Sequence, residues 1–452
     1  MRPPPSRRRI AWPSLLAALL PLGMPAGAQV PVPEPPVVRT EVVPPGREPL
    51  RPRAGRLQEP AAPLDLRAAL ALAESSNPEL AMAAREVDAL EGSVLQAGLL
   101  PNPEIAIFAE EARRRRRVGE LQLDQRIELG GKRAARVNAA EGGREAARAD
   151  LAIARAQLRA TVIAAFFDVL TAQERLRLAD ASLDMARRAS TAALQRMETR
   201  KGSAVESVRA RVAEAGMRIE RSQAASQLAV ARRQLSGTWG NPVPRFVMAQ
   251  GALESMLSLP ALTELVGRLE KAPGLVRARV ELQRREALAA LEHSRRVPDL
   301  LFSLGATRAD EQGGTQPVFG VALPVPIFDR NQGNRLEAER RIEKARDALL
   351  AAEIRLESGV ALAHERTVAT RAELQVLRDE ILPGAQAALD AVTVDYERGE
   401  QSFIDLLDAQ RTLFDARAQY VQALTDAQRS IADIERALAA DLLGLAGAEG
   451  GP

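Results

Sequence analysis

"LQLDQRIELGGKRAAR", residues 121–136, changes its period in the middle. Up to Leu129 it alternates, with Leu121, Leu123, Ile127 and Leu129 on one face and Gln122, Asp124, Arg126 and Glu128 on the other, the pattern of a two-faced strand. After Gly130-Gly131 the alternation stops, and a stretch rich in Ala, Arg and Glu runs on to Arg200. At about 1.5 Å per residue, a helix over that stretch would reach roughly 100 Å. The rest of the chain has to account for a strand that feeds directly into so long a helix.

Composition supports the helix. Only 3% of the 452 residues are aromatic, and Ala, Leu, Arg, Glu and Gln dominate, as in long helices and coiled coils. There is no Cys, which excludes disulfides, thiolate metal sites, a cysteine nucleophile and a lipid-modified N-terminal Cys. Residues 1–28 read as a secretory signal: Arg2 and Arg7-Arg8-Arg9, an apolar run from Ile10 to Leu22, and an A-x-A site at Ala26-Gly27-Ala28. Without those four Arg, the 62 basic residues fall to 58 against 59 acidic ones, so the basic balance gives no case for nucleic acid. No run of 18 apolar residues follows the signal, so no membrane-spanning helix is expected. Barrel strands give a weaker signal and stay open.

Residues 29–63 are crowded with Pro and read as an extended leader. From Leu64, with Asp65 as N-cap, the chain reads as one unit written twice, over 64–240 and 241–440, with a short tail at 441–452. Each unit runs helix, strand, strand, very long helix, Gly turn, helix. Asn77-Pro78 matches Ala272-Pro273 and Gly202 matches Gly399, at offsets of 195 and 197. Val162, Phe166, Val169, Leu176 and Leu183 form a heptad stripe, and Ile163, Phe167 and Leu170 form a second beside it. Two adjacent stripes imply neighbours on both sides, as in a closed ring of helices. Ala139, Ala140, Gly142 and Gly143 would allow close approach.

The expected strands are Glu104–Glu110, Glu120–Leu129, Leu300–Thr307 and Gln316–Phe328, the last with Phe319, Val321, Leu323 and Val325 on one face. Four strands cannot close around a lumen, because the smallest membrane barrels use about eight. A lone sheet would leave sticky edges. Three copies would pool about twelve strands.

Three stretches carry a resemblance to a known family: "NPEL" with "LLPNPEI", then "QRIELGGKRAARVNAAE", then "ILPGAQAALDAVTVDYERGEQSFIDLLDAQRTLFDARAQYVQAL". In these the chain resembles the TolC-like outer membrane factors, and its "IELGGKR" junction looks like the cobalt–zinc–cadmium resistance branch. The resemblance covers nearly everything from Leu64 to Ala440. It implies a mainly α fold with a small β part: a trimer with a twelve-stranded outer-membrane barrel continued by a helical tube in the periplasm. It further implies a passive exit duct for heavy-metal cations, served by a periplasmic adaptor and an inner-membrane RND-type pump. A drug-efflux or type I secretion duct is the alternative within that fold. A periplasmic coiled-coil adaptor or scaffold is the alternative outside it, although no lipoyl-like domain is legible.

Asp405 and Asp408 lie three residues apart on one helix face, directly after Tyr396-Glu397-Arg398-Gly399. The resemblance places them at a periplasmic constriction, makes Tyr396 a gating residue, and puts Gln401 where other members carry Arg. It also makes Lys201-Gly202-Ser203 and Arg398-Gly399-Glu400 the tips that meet the adaptor. Gly130-Gly131 is expected where barrel strand becomes tube helix. Arg113 to Arg117 read as a solvated loop of one hairpin, or as a dock for lipopolysaccharide phosphates. His293 and His364 read as ordinary surface or packed residues. No catalytic motif or cofactor site is expected, and no enzyme.

Overall fold

The computed structural model describes residue 59 and residues 62–113, 116–199, 203–251, 259–309, 314–398 and 400–440. The expected signal, nearly all of the leader, Lys201, Gly202, Gly399 and the 441–452 tail lie outside these residues. The first repeat contains α1 (Leu66–Ser76), α2 (Pro78–Ala97), β1 (Glu104–Arg113), β2 (Arg116–Ile127), α3 (Lys132–Glu198) and α4 (Ala204–Gly237). The second contains α5 (Leu262–Gly267), a short 3-10 turn, α6 (Pro273–Ser294), β3 (Leu300–Ala309), β4 (Gly314–Ala322), α7 (Gln332–Val376), a π turn (Leu377–Ile381), α8 (Leu382–Arg398) and α9 (Phe403–Leu438). The long helical runs, Lys132–Glu198 and Gln332–Arg398, stand at an offset of 200 at both ends.

Where one opening helix was expected in each repeat, there are two segments, broken before Pro78 and Pro273. The residue ahead of a proline is driven out of the helical region. Asn77 (ψ 124°) and Ala272 (ψ 131°) accordingly sit extended. Asn77 also caps α2 by accepting from the Leu80 N–H at 2.7 Å, and its amide donates to the Thr238 carbonyl.

The four strands form one antiparallel sheet in the order β1-β2-β3-β4, so both repeats contribute to it. Strands β1 and β3 reach further than expected. The hairpin pairs Glu111 with Arg117 and Arg113 with Arg116, so three of the five Arg assigned to a loop belong to strands. Strand β4 is shorter: it ends at Ala322 rather than Phe328. Pro324 and Pro326 have no N–H to give to a ladder. The β2 strand likewise ends at Ile127 rather than Leu129.

Register decides what each face carries. Ile105 pairs with Leu123, Leu123 with Leu304 and Leu304 with Phe319; Phe302 pairs with Val321. One face is therefore apolar across all four strands, and it is exposed, Ile107 by 77% and Phe319 by 68%. On the other face Asp124 accepts from Ser303 Oγ and Gln122 Nε2. A soluble sheet would bury the apolar face against helices. This one leaves it bare.

Both stripes read along α3 are buried at their centre: Val162, Ile163, Phe166, Phe167, Val169 and Leu170 pack with Leu64, Leu235, Trp239 and Phe246. Gln173 holds the Ala249 N–H and carbonyl, at 2.7 and 3.0 Å, and Leu64 bridges to Ala249. Just ahead of Leu64, the buried Glu59 carboxylate accepts from the N–H groups of Arg245 and Phe246 and from Asn241. The chain entering the first repeat is thus clasped to the segment joining the two. The repeats also meet along α3 and α9 through Arg159–Glu435, Asp168–Arg429, Thr171–Thr425 and Arg175–Gln422. Glu435 is almost fully buried, so this ion pair lies largely out of water.

Candidate functional site at the junction and the tip

Two places carry the residues singled out from sequence. At the strand-to-helix junction, Gly130 (φ 72°) and Gly131 (φ 74°) both adopt left-handed backbone. They are not equivalent. A Cβ on Gly130 would lie 2.7 Å from Val297 Cβ and 3.1 Å from the Ser294 carbonyl oxygen, whereas one on Gly131 would meet nothing within 4 Å. Gly130 is required by space and by conformation, Gly131 by conformation alone. The second repeat has Asn331 (φ 59°) in the left-handed position ahead of α7, with its amide donating to the Glu292 carbonyl at 2.8 Å. Gly333, two residues further on, is helical.

The rest of "IELGGKRAAR" fixes the angle. Arg136 pairs with Glu128 and donates to the carbonyls of Ala97 and Leu99; Arg133 donates to Gly98. These are the open carbonyls at the end of α2, which cations complement. Lys132 reaches Asp299 at 2.6 Å. The motif therefore ties strand β2 and helix α3 to the end of α2 and to the entry of β3.

At the far end of the long helices the two turns come together. Tyr396 is buried, its hydroxyl donates to Glu206 Oε1 at 3.1 Å, and its ring packs on Phe403 at 6.0 Å. Arg196 lies over that ring, 4.4 Å from its centre, and donates to the Tyr396 carbonyl at 2.9 Å. Burial and the Glu206 carboxylate raise the Tyr396 pKa, so the phenol stays protonated and remains a donor. Helices α3, α4, α8 and α9 are thus latched through one tyrosine. Arg196 and Glu206 were not among the residues picked from sequence. Arg196 and Tyr396 occupy matching places in the two repeats, at the offset of 200 that the helix ends define. A cleft of about 750 Å³ between the turns is lined by Arg196, Ser203, Glu206, Tyr396, Arg398 and Gln401, among others.

Ser203 caps α4 by accepting from the Val205 N–H. Glu400 and Gln401 are exposed, with Glu400 donating its N–H to the Asp395 carbonyl. Asp405 and Asp408 are both exposed, but only Asp405 has a local task. With Ser402 it forms a capping box: its carboxylate accepts from the Ser402 N–H at 3.0 Å and hydroxyl at 2.6 Å. Those bonds hold its pKa below the usual carboxylate value. Asp408 instead lines a groove between α4 and α9 with Ile404, Arg411 and Met217. His293 is exposed and His364 mostly buried; among the described residues no cluster of acids and His is placed to hold a metal ion.

A family model for outer membrane efflux proteins matches residues 69–241 and 267–440, once for each repeat. The chain is 45% identical over 381 residues to the cobalt-zinc-cadmium resistance protein CzcC of Cupriavidus metallidurans, covering 84% of this chain and 91% of that one. It is 26% identical over 291 residues to the nickel-cobalt-cadmium resistance protein NccC of Alcaligenes xylosoxydans xylosoxydans, covering 63% and 65%. The solved structure of CusC matches with a TM-score of 0.73 at 18% identity, over 82% of this chain and 91% of that one, a likeness of fold. With both repeats matched and CzcC aligned over nearly its whole length, the chain belongs to the outer membrane efflux protein family.

Proposed function

We propose that three copies form a passive exit duct, with a twelve-stranded barrel in the outer membrane and a helical tube in the periplasm. The observation that carries this reading is the sheet, whose exposed face carries Ile105, Leu123, Leu304 and Phe319 across its four strands and which is unpaired at β1 and β4 among the described residues. Strands of 9 to 12 residues suit a bilayer crossing. Because β1 and β4 run antiparallel, β4 of one copy can pair with β1 of the next, and an even ring closes without an edge. No helix among the described residues is long and apolar enough to cross a membrane.

Heavy-metal cations are the proposed cargo, on the strength of the relatives named for cobalt, zinc, cadmium and nickel resistance. A periplasmic adaptor meets the tip turns, and an inner-membrane RND-type pump supplies the energy. The test is tolerance: deleting the gene should lower resistance to cobalt, zinc and cadmium while leaving resistance to detergents and dyes unchanged, and a plasmid copy should restore it. Loss of dye resistance with unchanged metal tolerance would instead indicate a drug-efflux duct.

The latch around Tyr396 closes the tip, and Asp408, repeated about the three-fold axis, is the acidic ring there. Asp405 adds its charge but also caps α9, so its removal mixes two effects. In planar bilayers Arg196→Ala should raise single-channel conductance more than Tyr396→Phe, since it removes both the stacking and the carbonyl bond. Asp408→Asn should weaken block by divalent cations. Unchanged conductance in both latch variants would place the constriction elsewhere.

A further inference from the structure

The residues directly after β4, "LPVPIF" at 323–328, were expected to extend the strand, and they do not. What they form is an extended apolar strip at the foot of the sheet. Leu323, Val325, Ile327 and Phe328 are exposed by 51, 74, 61 and 90%. Four large apolar side chains in six residues, left bare, need a cover. Leu99 and Leu100, which lead into β1 at the same end of the sheet, are also exposed.

The backbone of this strip is unusually free of polar demand. Pro324 and Pro326 have no N–H, and the Ile327 N–H donates to the Val325 carbonyl at 2.9 Å. The Phe328 carbonyl accepts from Gln332 Nε2. Irregular chain is ordinarily barred from lipid because its donors go unpaired; here two of the six N–H groups are absent and a third is already used. Residues 323, 325 and 327 also continue the odd-numbered alternation of Phe319 and Val321, the apolar side of β4. Beyond the strip come Asp329, whose carboxylate accepts from the Asn331 N–H, and then Arg330, exposed; Arg296 stands exposed in the loop before β3 at the same end. An apolar band followed by guanidinium groups is the order in which acyl chains give way to phosphates.

We propose that Leu323–Phe328 lies in the leaflet nearest the helical tube, at the depth of the glycerol backbone, with Arg330 and Arg296 on lipid phosphates. The strip would set how deep the barrel sits. This rests on the barrel reading above, and the experiment separates the two.

Trp239 is buried and serves as an internal reference that lipid cannot reach. Single Trp reporters are added as Phe328→Trp, or Val325→Trp if the first folds poorly, and as Phe319→Trp on the sheet face. Each protein is reconstituted into phosphatidylcholine vesicles whose acyl chains carry bromine either near the glycerol or near the chain end. Phe328→Trp should lose at least half of its added fluorescence to the shallow bromine and little to the deep one. Phe319→Trp should be quenched as well, and the unmodified protein should not. Adding Arg296→Glu and Arg330→Glu should reduce the shallow quenching of Phe328→Trp at least twofold. Quenching of Phe319→Trp without Phe328→Trp would show the strip covered by protein, such as a neighbouring copy, and overturn the inference while the barrel stands. Equal or stronger quenching by the deep bromine would overturn the assigned depth, and unchanged shallow quenching in the Glu variants would overturn the phosphate contact. If neither reporter is quenched, barrel and strip fall together.

Discussion

Gly130→Ala should leave almost no folded protein in the membrane fraction, whereas Gly131→Asn should be recovered at close to the normal yield. The first substitution meets two penalties. Left-handed backbone costs an alanine about 1–2 kcal/mol. The new methyl would also stand 2.7 Å from Val297 Cβ and 3.1 Å from the Ser294 carbonyl oxygen, so the β2–α3 corner would have to move off the end of α6. Val297→Ala should not rescue it, because the clash is with the Cβ that alanine keeps. Val297→Gly should rescue it in part. Gly131 has free space around it, and Asn331 already adopts the same backbone at the second junction. Heat-modified gel mobility and yield after detergent extraction check both; a normal yield of Gly130→Ala would mean that the corner is far softer than its contacts imply.

Leu123→Arg should be nearly as damaging, and Gln122→Arg, one residue away, nearly harmless. Leu123 lies between Ile105 and Leu304 on the apolar face. An arginine facing lipid at mid-depth costs about 2–4 kcal/mol in a barrel. Gln122 points to the opposite face, beside Asp124, where a guanidinium can stay in water and find a carboxylate. Fractionation of the two variants decides the point. Equal insertion would mean that the apolar face is not the lipid face.

Much of this was legible because periodicity is a local signal. The two-faced strand, the paired stripes on α3 and the duplication could all be read from spacing. The end of β4 was misjudged because the apolar alternation continues through Pro324 and Pro326, and the missing N–H groups outweigh the pattern. Ser402 and Asp405 form an S-x-x-D cap that the sequence displays, although the acid was assigned only to a constriction. Arg196 and Glu206 could not be found from spacing within one repeat. Their contact with Tyr396 exists only once both hairpins lie side by side, and only the internal offset hints at it.

The π turn within the second long helix has a consequence for every residue beyond it. From Val360 on, buried positions follow a seven-residue rhythm: Val360, Ala363, Thr367, Leu374, Leu377. The next are Ala385, Leu389 and Tyr396, one place later than that rhythm would put them. A π turn takes up one extra residue without the roughly 100° of rotation that residue would add in an α-helix. The residue taken up at Leu377–Ile381 accounts for that single step, so positions beyond it face as the seven-residue rhythm requires. The seam toward α9 passes the turn without a break, and the Tyr396 ring arrives in phase with Glu206.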